Sequence, residues 1–278
     1  MKNRAKKIII RTKREIFNDI KANHPSIFNG DGLDFSELRE YELGDDSRFI
    51  DHLTTAKKQK PYVRVFKEER ELNIVAISLL SGSTLFGTKK EKKEHIAQIV
   101  ATIGVSAISY QDSFSSAIFT DTLQNFISPS KKLYFLQKGI ENILSFSPLY
   151  KGIDYQKIED EIKRHIKKRA IIFFIGDFFD IPRFKKLNTF HEVIALIVRD
   201  RFEEKPKEIE NLNLTDANTS KSIDVNIDKK FIKEYQKRVH SHDHILYNTL
   251  KKDRVRFAKI YTDENPTKSL RKLFMSKR

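Results

Sequence analysis

The hydrophobic and polar positions of the chain follow two patterns, and the change between them lies near residue 72. Beyond that point, short apolar runs alternate with stretches in which apolar residues recur every three or four positions, as they do in amphipathic helices. The clearest apolar runs are LNIVAISLL, AIIFFIGDF and HEVIALIV. Apolar strands that alternate with helices predict a mostly parallel central sheet with helices on both faces.

The ends of the chain and residues up to 71 show other patterns. Residues 2–22 predict a helix whose apolar positions are Ile9, Ile10, Ile16, Phe17 and Ile20. A polar, turn-rich stretch follows and ends in PYVRVF, which alternates like an edge strand. A long helix at about 228–252, the strand VRFAKIY and a final helix close the chain.

This pattern predicts two regions. Residues 1–71 form an N-terminal helix and a charged β-rich segment that pack on the main domain, and residues 72–278 form the α/β domain. The stretch NLNLTDANTSKSIDVNI has the turn residues of a β-hairpin, so we expect a hairpin insertion near 211–227.

The composition of the chain excludes several classes of functional site. The chain has no cysteine, which excludes disulfides, thiolate zinc sites and cysteine nucleophiles. No secretory signal is recognisable at the N-terminus, and we therefore expect a cytoplasmic protein. The net charge of +15 is concentrated at the ends: residues 1–24 hold eight basic and two acidic residues, and residues 229–278 hold fifteen and five.

Basic ends favour an anionic partner, such as a membrane surface or an acidic protein face, although solvated helix faces also carry such charge. A peripheral position at the inner membrane is compatible with this charge. No nucleic-acid motif accompanies it, so we do not expect nucleic acid as the partner.

The loop after the first apolar run, SGSTLFGTKK, raises the question of a phosphate site. Gly82 and Gly87 have the separation of a nucleotide-binding P-loop, after a strand and before a helix. A P-loop needs lysine directly after the second glycine and then serine or threonine. Here Thr88 precedes Lys89, and a shift of one position rotates a helical side chain by about 100°. We therefore do not expect ATP to bind.

The stretch ELREYELGDDSRFID, residues 37–51, is the most carboxylate-rich part of the chain. Each acid has an arginine nearby in sequence, which indicates a charge-paired network that docks a partner or fixes an irregular segment. An unpaired, desolvated carboxylate would instead indicate acid–base chemistry. The histidines of HSHDH include His240 and His244 at the i, i+4 spacing that can hold zinc, but no carboxylate lies one turn away, and we expect a solvated cluster.

The residues of this segment, in their order along the chain, resemble the bacterial domain-of-unknown-function 58 family. The resemblance rests on ELREYELGDDSRFID, on PYVR with Glu68, Glu69 and Arg70, and on the later IGDFFD, HEVIALIVRD and FAKIYTDENPTKSLRKLF. Members of that family carry a von Willebrand factor A-like domain and are typically encoded beside a MoxR-type AAA+ ATPase. The resemblance therefore implies an α/β, Rossmann-like fold with a mostly parallel central sheet.

The resemblance also implies where a metal-ion-dependent adhesion site would lie. An intact site would read D-x-S-x-S after the first strand, with a threonine in a later loop and an aspartate after the fourth strand. Ser81 and Ser83 match, and the last aspartate is kept as Asp177, but Leu79 and Ile153 replace two oxygen ligands. Magnesium prefers carboxylate-rich oxygen coordination. We therefore expect a degenerate site without a cofactor, and a weak magnesium site is the alternative.

In a degenerate site, Leu79 and Ile153 would seal the former ion pocket. Ser81 and Ser83 would then cap the following helix.

For function, the resemblance implies a non-enzymatic interaction or adaptor protein that works with a MoxR-type AAA+ ATPase in chaperone-like assembly or maturation. We expect the charged segment to bind the partner through Glu37, Arg39, Glu40, Tyr41, Asp45, Asp46, Arg48 and Asp51. Two alternatives stay open. One is a hydrolase or nuclease that uses the acidic residues of 37–51, and the other is a peripheral membrane module anchored by helix 2–22.

Overall fold

A computed structural model describes residues 2–21, 35–43, 45, 47, 50–66, 71–215 and 221–275. The strands are β1 Phe35–Glu40, β2 Tyr62–Phe66, β3 Asn73–Leu79, β4 Ser113–Phe119, β5 Leu123–Ser130, β6 Ile171–Gly176, β7 Glu192–Arg199, β8 Ile209–Thr215, β9 Ser222–Ile227 and β10 Arg256–Tyr261. The helices are α1 Lys2–Lys21, α2 His52–Lys58, α3 Lys92–Ser109, α4 Leu133–Ser145, α5 Tyr155–His165, α6 Leu187–Phe190, α7 Arg201–Glu204, α8 Lys229–Lys252 and α9 Pro266–Met275. The chain divides into a larger unit, Met1–Ile27 with Leu72–Arg278, and a smaller unit, Phe28–Glu71.

The larger unit contains a six-stranded sheet in the order β10-β7-β6-β3-β4-β5. Neighbouring strands are parallel from β10 to β4, and β5 pairs antiparallel with β4 at the edge. The central strands β3, β6 and β7 are buried along almost their whole length, as strands covered on both faces must be. This sheet with its flanking helices is the α/β, von Willebrand factor A-like arrangement predicted from the sequence.

Helices cover both faces of the sheet. On one face, residues of α5, α6 and α8 pack against alternate strand residues in one cluster, which includes Ile77, Phe174, Ile162 and Leu246. On the other face α3 contacts β3, β4, β6 and β7, while α4 contacts β4 and β5. Helix α3 is buried on nearly all sides because α1 and α9 cover the surface that the sheet leaves open.

Helix α1 uses its isoleucine face inside the larger unit. Ile8, Ile9 and Ile16 are buried, and the helix packs against α3, α4 and α9. Ile10, another apolar position of the predicted helix, is 44% exposed. The face that α1 presents to solvent carries lysine and arginine. An interfacial anchor would need the isoleucine face that the core already occupies.

The other two sheets are small. In the smaller unit β1 and β2 pair antiparallel, and Asp51 caps α2 by accepting a hydrogen bond from the Thr54 backbone at 2.8 Å. In the larger unit β8 and β9 pair antiparallel, at the place where the sequence predicts a hairpin.

Candidate functional site

The carboxyl ends of the parallel strands bring several loops together at one edge of the sheet. After β3 the chain forms a 3-10 turn, Gly82–Leu85. Asp177 follows β6, and Arg199 ends β7 directly before the cap of α7. In open α/β sheets ligands bind at this edge, so these loops form the candidate site.

The three polar residues predicted to converge here do so. The hydroxyls of Ser81 and Ser83 lie 2.8 Å apart, and the Ser83 hydroxyl donates to Oδ2 of Asp177 at 2.5 Å. The expectation that both serines cap the following helix is wrong. Ser81 precedes the 3-10 turn without a side-chain capping bond, and α3 begins only at Lys92. The hydroxyls instead extend a hydrogen-bond chain to the Asp177 carboxylate.

A lysine that sequence reasoning missed completes the site. The side chain of Lys92, the first residue of α3, is 0% exposed. Its Nζ donates to Oδ2 of Asp177 at 3.0 Å and to Oε1 of Glu203 at 2.5 Å. Glu203 is held from the other side, since its Oε2 accepts from the backbone N–H of Asp200 at 2.8 Å. One buried ammonium is thus shared by two carboxylates.

Arg199 and Lys259 extend the buried charges beyond Lys92. Arg199 donates to the backbone carbonyl of Asp177 and pairs with Asp243 at 3.4 Å. Lys259 on β10 bonds Asp243 and Glu204, both at 2.6 Å. Cations and carboxylates therefore alternate along this edge of the sheet.

The aromatic ring of Phe179 lies against the same cations. Nζ of Lys92 is 4.8 Å from the ring centroid, and Cζ of Arg199 is 4.1 Å from it. Cation–π contact of this kind stabilises the two charges further.

The pKa values follow from this pairing. Burial favours the neutral form of Asp177, but the Lys92 ammonium, the Ser83 hydroxyl and the Arg199 guanidinium outweigh it and hold the pKa below its ordinary value. For Glu203, the effect of burial is larger than the attraction of the Lys92 ammonium, and the pKa is raised. Burial also opposes the ionised form of Asp243, and Lys259 and Arg199 lower its pKa in spite of it.

Leu79 and Ile153, the two residues that stand where oxygen ligands were expected, pack in the core. Leu79 is buried in the cluster under α5 and α8, and Ile153 packs against the same cluster half-buried. Leu79 needs the space that Gly176 leaves, because a Cβ on Gly176 would lie 2.8 Å from Cβ of Leu79. Both positions therefore contribute apolar packing and no ligand oxygen.

The residues at this edge do not fit a divalent cation as the fold family implies it. Apolar side chains stand where two of the ligand oxygens are expected. The remaining carboxylate of the expected set, Asp177, accepts hydrogen bonds from Lys92 and Ser83. Among the described residues no group of three or more histidines and carboxylates is arranged to hold a metal ion.

The two glycines of the loop do not form a phosphate cradle. Gly82 begins the 3-10 turn, and α3 starts five residues after Gly87 rather than directly at it. The backbone N–H and the hydroxyl of Thr88 both donate to the carboxylate of Asp200, at 3.0 Å and 3.0–3.1 Å. The loop is thus fastened to the start of α7.

The charged segment of the smaller unit is paired where the structure describes it. Arg39 Nη2 bonds Oδ1 of Asp45 at 2.6 Å, and Lys60 bonds Glu40 at 3.1 Å. The backbone N–H of half-buried Tyr41 donates to the Pro61 carbonyl at 2.8 Å.

Other parts of that segment are buried or undescribed. Asp51 is 6% exposed and serves as the cap of α2, so its carboxylate does not face solvent. The side chain of Glu37, and Asp46 and Arg48 as a whole, lie outside the described residues.

The histidines of HSHDH each make a hydrogen bond with another protein group. His240 contacts the Gln236 carbonyl and His244 contacts the Asn248 amide, at 2.8 and 2.9 Å. His242 contacts the Phe179 carbonyl at 2.8 Å, beside the candidate site. Asp243, which the sequence analysis did not select, is the residue of this stretch that enters the buried network.

No helix in the part of the chain that the structure describes is long and apolar enough to cross a membrane. Among solved structures, the chain is similar to BatB from Bacteroides thetaiotaomicron, with 12% identity, a TM-score of 0.46, and coverage of 73% of this chain and 96% of that one. It is also similar to an uncharacterized membrane-spanning protein from Vibrio fischeri, with 10% identity, a TM-score of 0.25, and coverage of 66% and 98%.

Curated relatives and a family model give the remaining comparisons. The uncharacterized proteins Rv1480 of Mycobacterium tuberculosis and Mb1516 of Mycobacterium bovis are each 22% identical to the chain over 241 residues, which is 83% of this chain and 75% of theirs. The model of DUF58, a protein family of unknown function, matches residues 37–245. This match spans most of the chain, which therefore belongs to the DUF58 family.

Proposed function

We propose that this protein is a non-enzymatic interaction or adaptor protein that partners a MoxR-type AAA+ ATPase in assembly or maturation of other proteins, and that it binds without a metal ion. The observation that carries the proposal is the closed ion-pair network at the carboxyl edge of the sheet. Asp177, Glu203 and Asp243 each bond a lysine or arginine of the same network. A general acid or base must instead face its substrate with a poised pKa.

Exposed apolar surface near this edge supports a binding role. Phe86 and Phe231 are 41% and 38% exposed, and they line a groove of about 230 Å³ together with Phe202, Pro206 and Tyr235. Clustered aromatic residues of this kind are typical of protein-binding surfaces.

The charged segment supplies the second candidate surface. Among the described residues, four members of the predicted docking set reach solvent: Arg39, Glu40, Tyr41 and Asp45. Because Asp51 is buried as a helix cap, we leave it out of the proposed docking surface. The proposal places the protein in the cytoplasm, where the basic faces of α1 and α8 also favour an anionic membrane surface.

The test is co-purification. The tagged chain is co-expressed with the MoxR-type ATPase of the same genome and captured with and without chelator. Because the ATPase itself uses magnesium, a second arm replaces Ser81 by alanine, which removes a hydroxyl from the candidate site but leaves the ATPase untouched.

We expect the same retention of the ATPase in all arms. Absence of retention in every arm would refute the partnership. Retention by the unmodified chain that is lost both with chelator and in Ser81→Ala would refute metal-independent binding and leave the partnership standing.

A further inference from the structure

We infer that the ammonium of Lys92 takes the place of a divalent cation at the carboxyl edge of the sheet, so that the pocket is a cation site whose occupant is covalently attached to the chain. This inference concerns the chemistry of the pocket and does not depend on which partner the protein binds.

The geometry of the lysine carries the inference. Its Nζ lies 3.0 Å from Oδ2 of Asp177, the carboxylate expected to hold an ion, and 2.5 Å from Oε1 of Glu203. The Lys92 side chain is 0% exposed, and the two carboxylates are 6% and 11% exposed. A single positive charge therefore sits between two buried negative charges, which is the role a metal ion plays in an oxygen-lined pocket.

The position of Lys92 in the fold keeps the ammonium there. Lys92 is the first residue of α3, and its backbone N–H donates to the Phe86 carbonyl at 2.9 Å. Helix α3 packs against the sheet on one side and against α1 on the other. These contacts hold the helix, and therefore its first residue, in position. The Phe179 ring closes the pocket at 4.8 Å from Nζ.

The same geometry excludes a second cation. Magnesium binds carboxylate oxygens at about 2.0–2.1 Å, and Oδ2 of Asp177 already accepts from Lys92 and from Ser83. An ion at that oxygen would meet the ammonium as a like charge in a buried pocket, where repulsion is poorly screened. A divalent ion can therefore enter only if the ammonium is removed.

Removing the ammonium should open a metal site. Lys92→Met leaves two carboxylates, Asp177 and Glu203, with the hydroxyls of Ser81 and Ser83 beside them. These are hard oxygen ligands, the type that magnesium and manganese select. The unpaired carboxylates make this variant less stable than the wild type. A divalent cation that binds them should restore the lost stability, because it replaces the positive charge of the lysine.

The experiment measures the thermal midpoint of the full-length wild type and of Lys92→Met in increasing MnCl2 or MgCl2. We expect no saturable shift in the wild type. In Lys92→Met we expect a lower midpoint that rises by several degrees and saturates with the ion. Calorimetric titration should show one site in the variant alone.

Two further variants separate this site from general ion effects. Lys92→Met with Asp177→Asn should lose the recovery, because one of the two carboxylates is gone. Lys259→Met removes a lysine from the adjacent ion pairs with Asp243 and Glu204. Because the Arg199 guanidinium still pairs with Asp243 and repels an incoming cation, we expect a lower midpoint without recovery by the ion.

Either of two results would overturn the inference. One is a saturable manganese shift in the wild type that disappears in Asp177→Asn, and the other is a folded Lys92→Met variant that binds neither ion. If Lys92→Met fails to fold in metal-free buffer, refolding in MnCl2 becomes the decisive measurement. Recovery of folded protein there supports the inference, and failure to recover it counts against it.

Discussion

Two regions of this protein are dense in charge, and they differ in burial. At the carboxyl edge of the sheet, the paired side chains of Lys92 and Asp177 are 0% and 6% exposed. In the smaller unit, the paired side chains of Arg39 and Asp45 are 37% and 20% exposed, and those of Lys60 and Glu40 are 65% and 56% exposed. The sequence is more conspicuously charged in the second region, yet the structure buries the charges of the first.

The difference determines what each region can do. Exposed ion pairs contribute little to stability because water and salt screen them and long side chains lose freedom when they pair. A buried pair contributes little net stability compared with apolar packing, but loss of one partner leaves a charge stranded away from water. The buried cluster should therefore be intolerant of change, whereas the exposed segment is free to exchange its internal pairs for contacts with a partner.

The largest effect is expected at Lys92. Lys92→Met should lower the free energy of unfolding by about 3–5 kcal/mol, because Asp177 and Glu203 lose their shared cation. Urea denaturation in metal-free buffer measures it. Lys89→Met is the matched control, since it makes the same chemical change at an exposed position three residues earlier. Similar losses in the two variants would show that burial does not distinguish them.

A smaller effect is expected at Lys259, whose side chain is 21% exposed. Lys259→Met should lower the free energy of unfolding by about 1–3 kcal/mol, because Asp243 and Glu204 each lose a hydrogen bond. Asp243 keeps its contact with Arg199, which limits the loss. Lys251→Met on α8 serves as the exposed control in the same urea titration. A loss as large as that of Lys92→Met would contradict the graded burial of the two sites.

The pH dependence of stability should show the contribution of the Asp177 carboxylate. The folded-state pKa of Asp177 is depressed, so its contribution is present above the unfolded pKa of about 4 and is lost as the pH falls through the folded value. Urea titrations between pH 7 and the acid limit should therefore show stability declining below about pH 4. The decline should be shallower in Asp177→Asn, which has no proton to gain there. An equally steep decline in that variant would assign the acid sensitivity to other groups.

Hydrophobic periodicity predicted most of the fold. The runs around Ile77, Phe174 and Leu196 gave the central strands, because strands buried on both faces leave an uninterrupted apolar signal. The family resemblance, and not periodicity, selected Ser81, Ser83 and Asp177. Their convergence then agrees with the rule that the carboxyl ends of parallel strands share one edge of the sheet.

Lys92 could not be found in the same way. It stands in KKEKKEH, where nothing local distinguishes it from Lys89, Lys90 or Lys93, and such a run usually marks a solvated helix face. Its partner Glu203 is more than a hundred residues away in the chain. Helix α3 begins at Lys92, and this start places the lysine over the strand ends. Asp243 was missed because its partners, Arg199 and Lys259, lie on two separate strands.

The smallest effect on stability is expected in the smaller unit, where function should change instead. In Arg39→Ala the Asp45 carboxylate loses the hydrogen bond that lowers its pKa, but water can replace that bond at this exposed position. The urea midpoint should therefore stay within error of the wild type, while retention of the co-expressed MoxR-type ATPase falls. Lys57→Ala on α2 removes an exposed cation of the same unit outside the docking set, and retention there should be unchanged. If Arg39→Ala retains the ATPase as the wild type does, docking lies on another surface, and the exposed charges of this segment only solvate it.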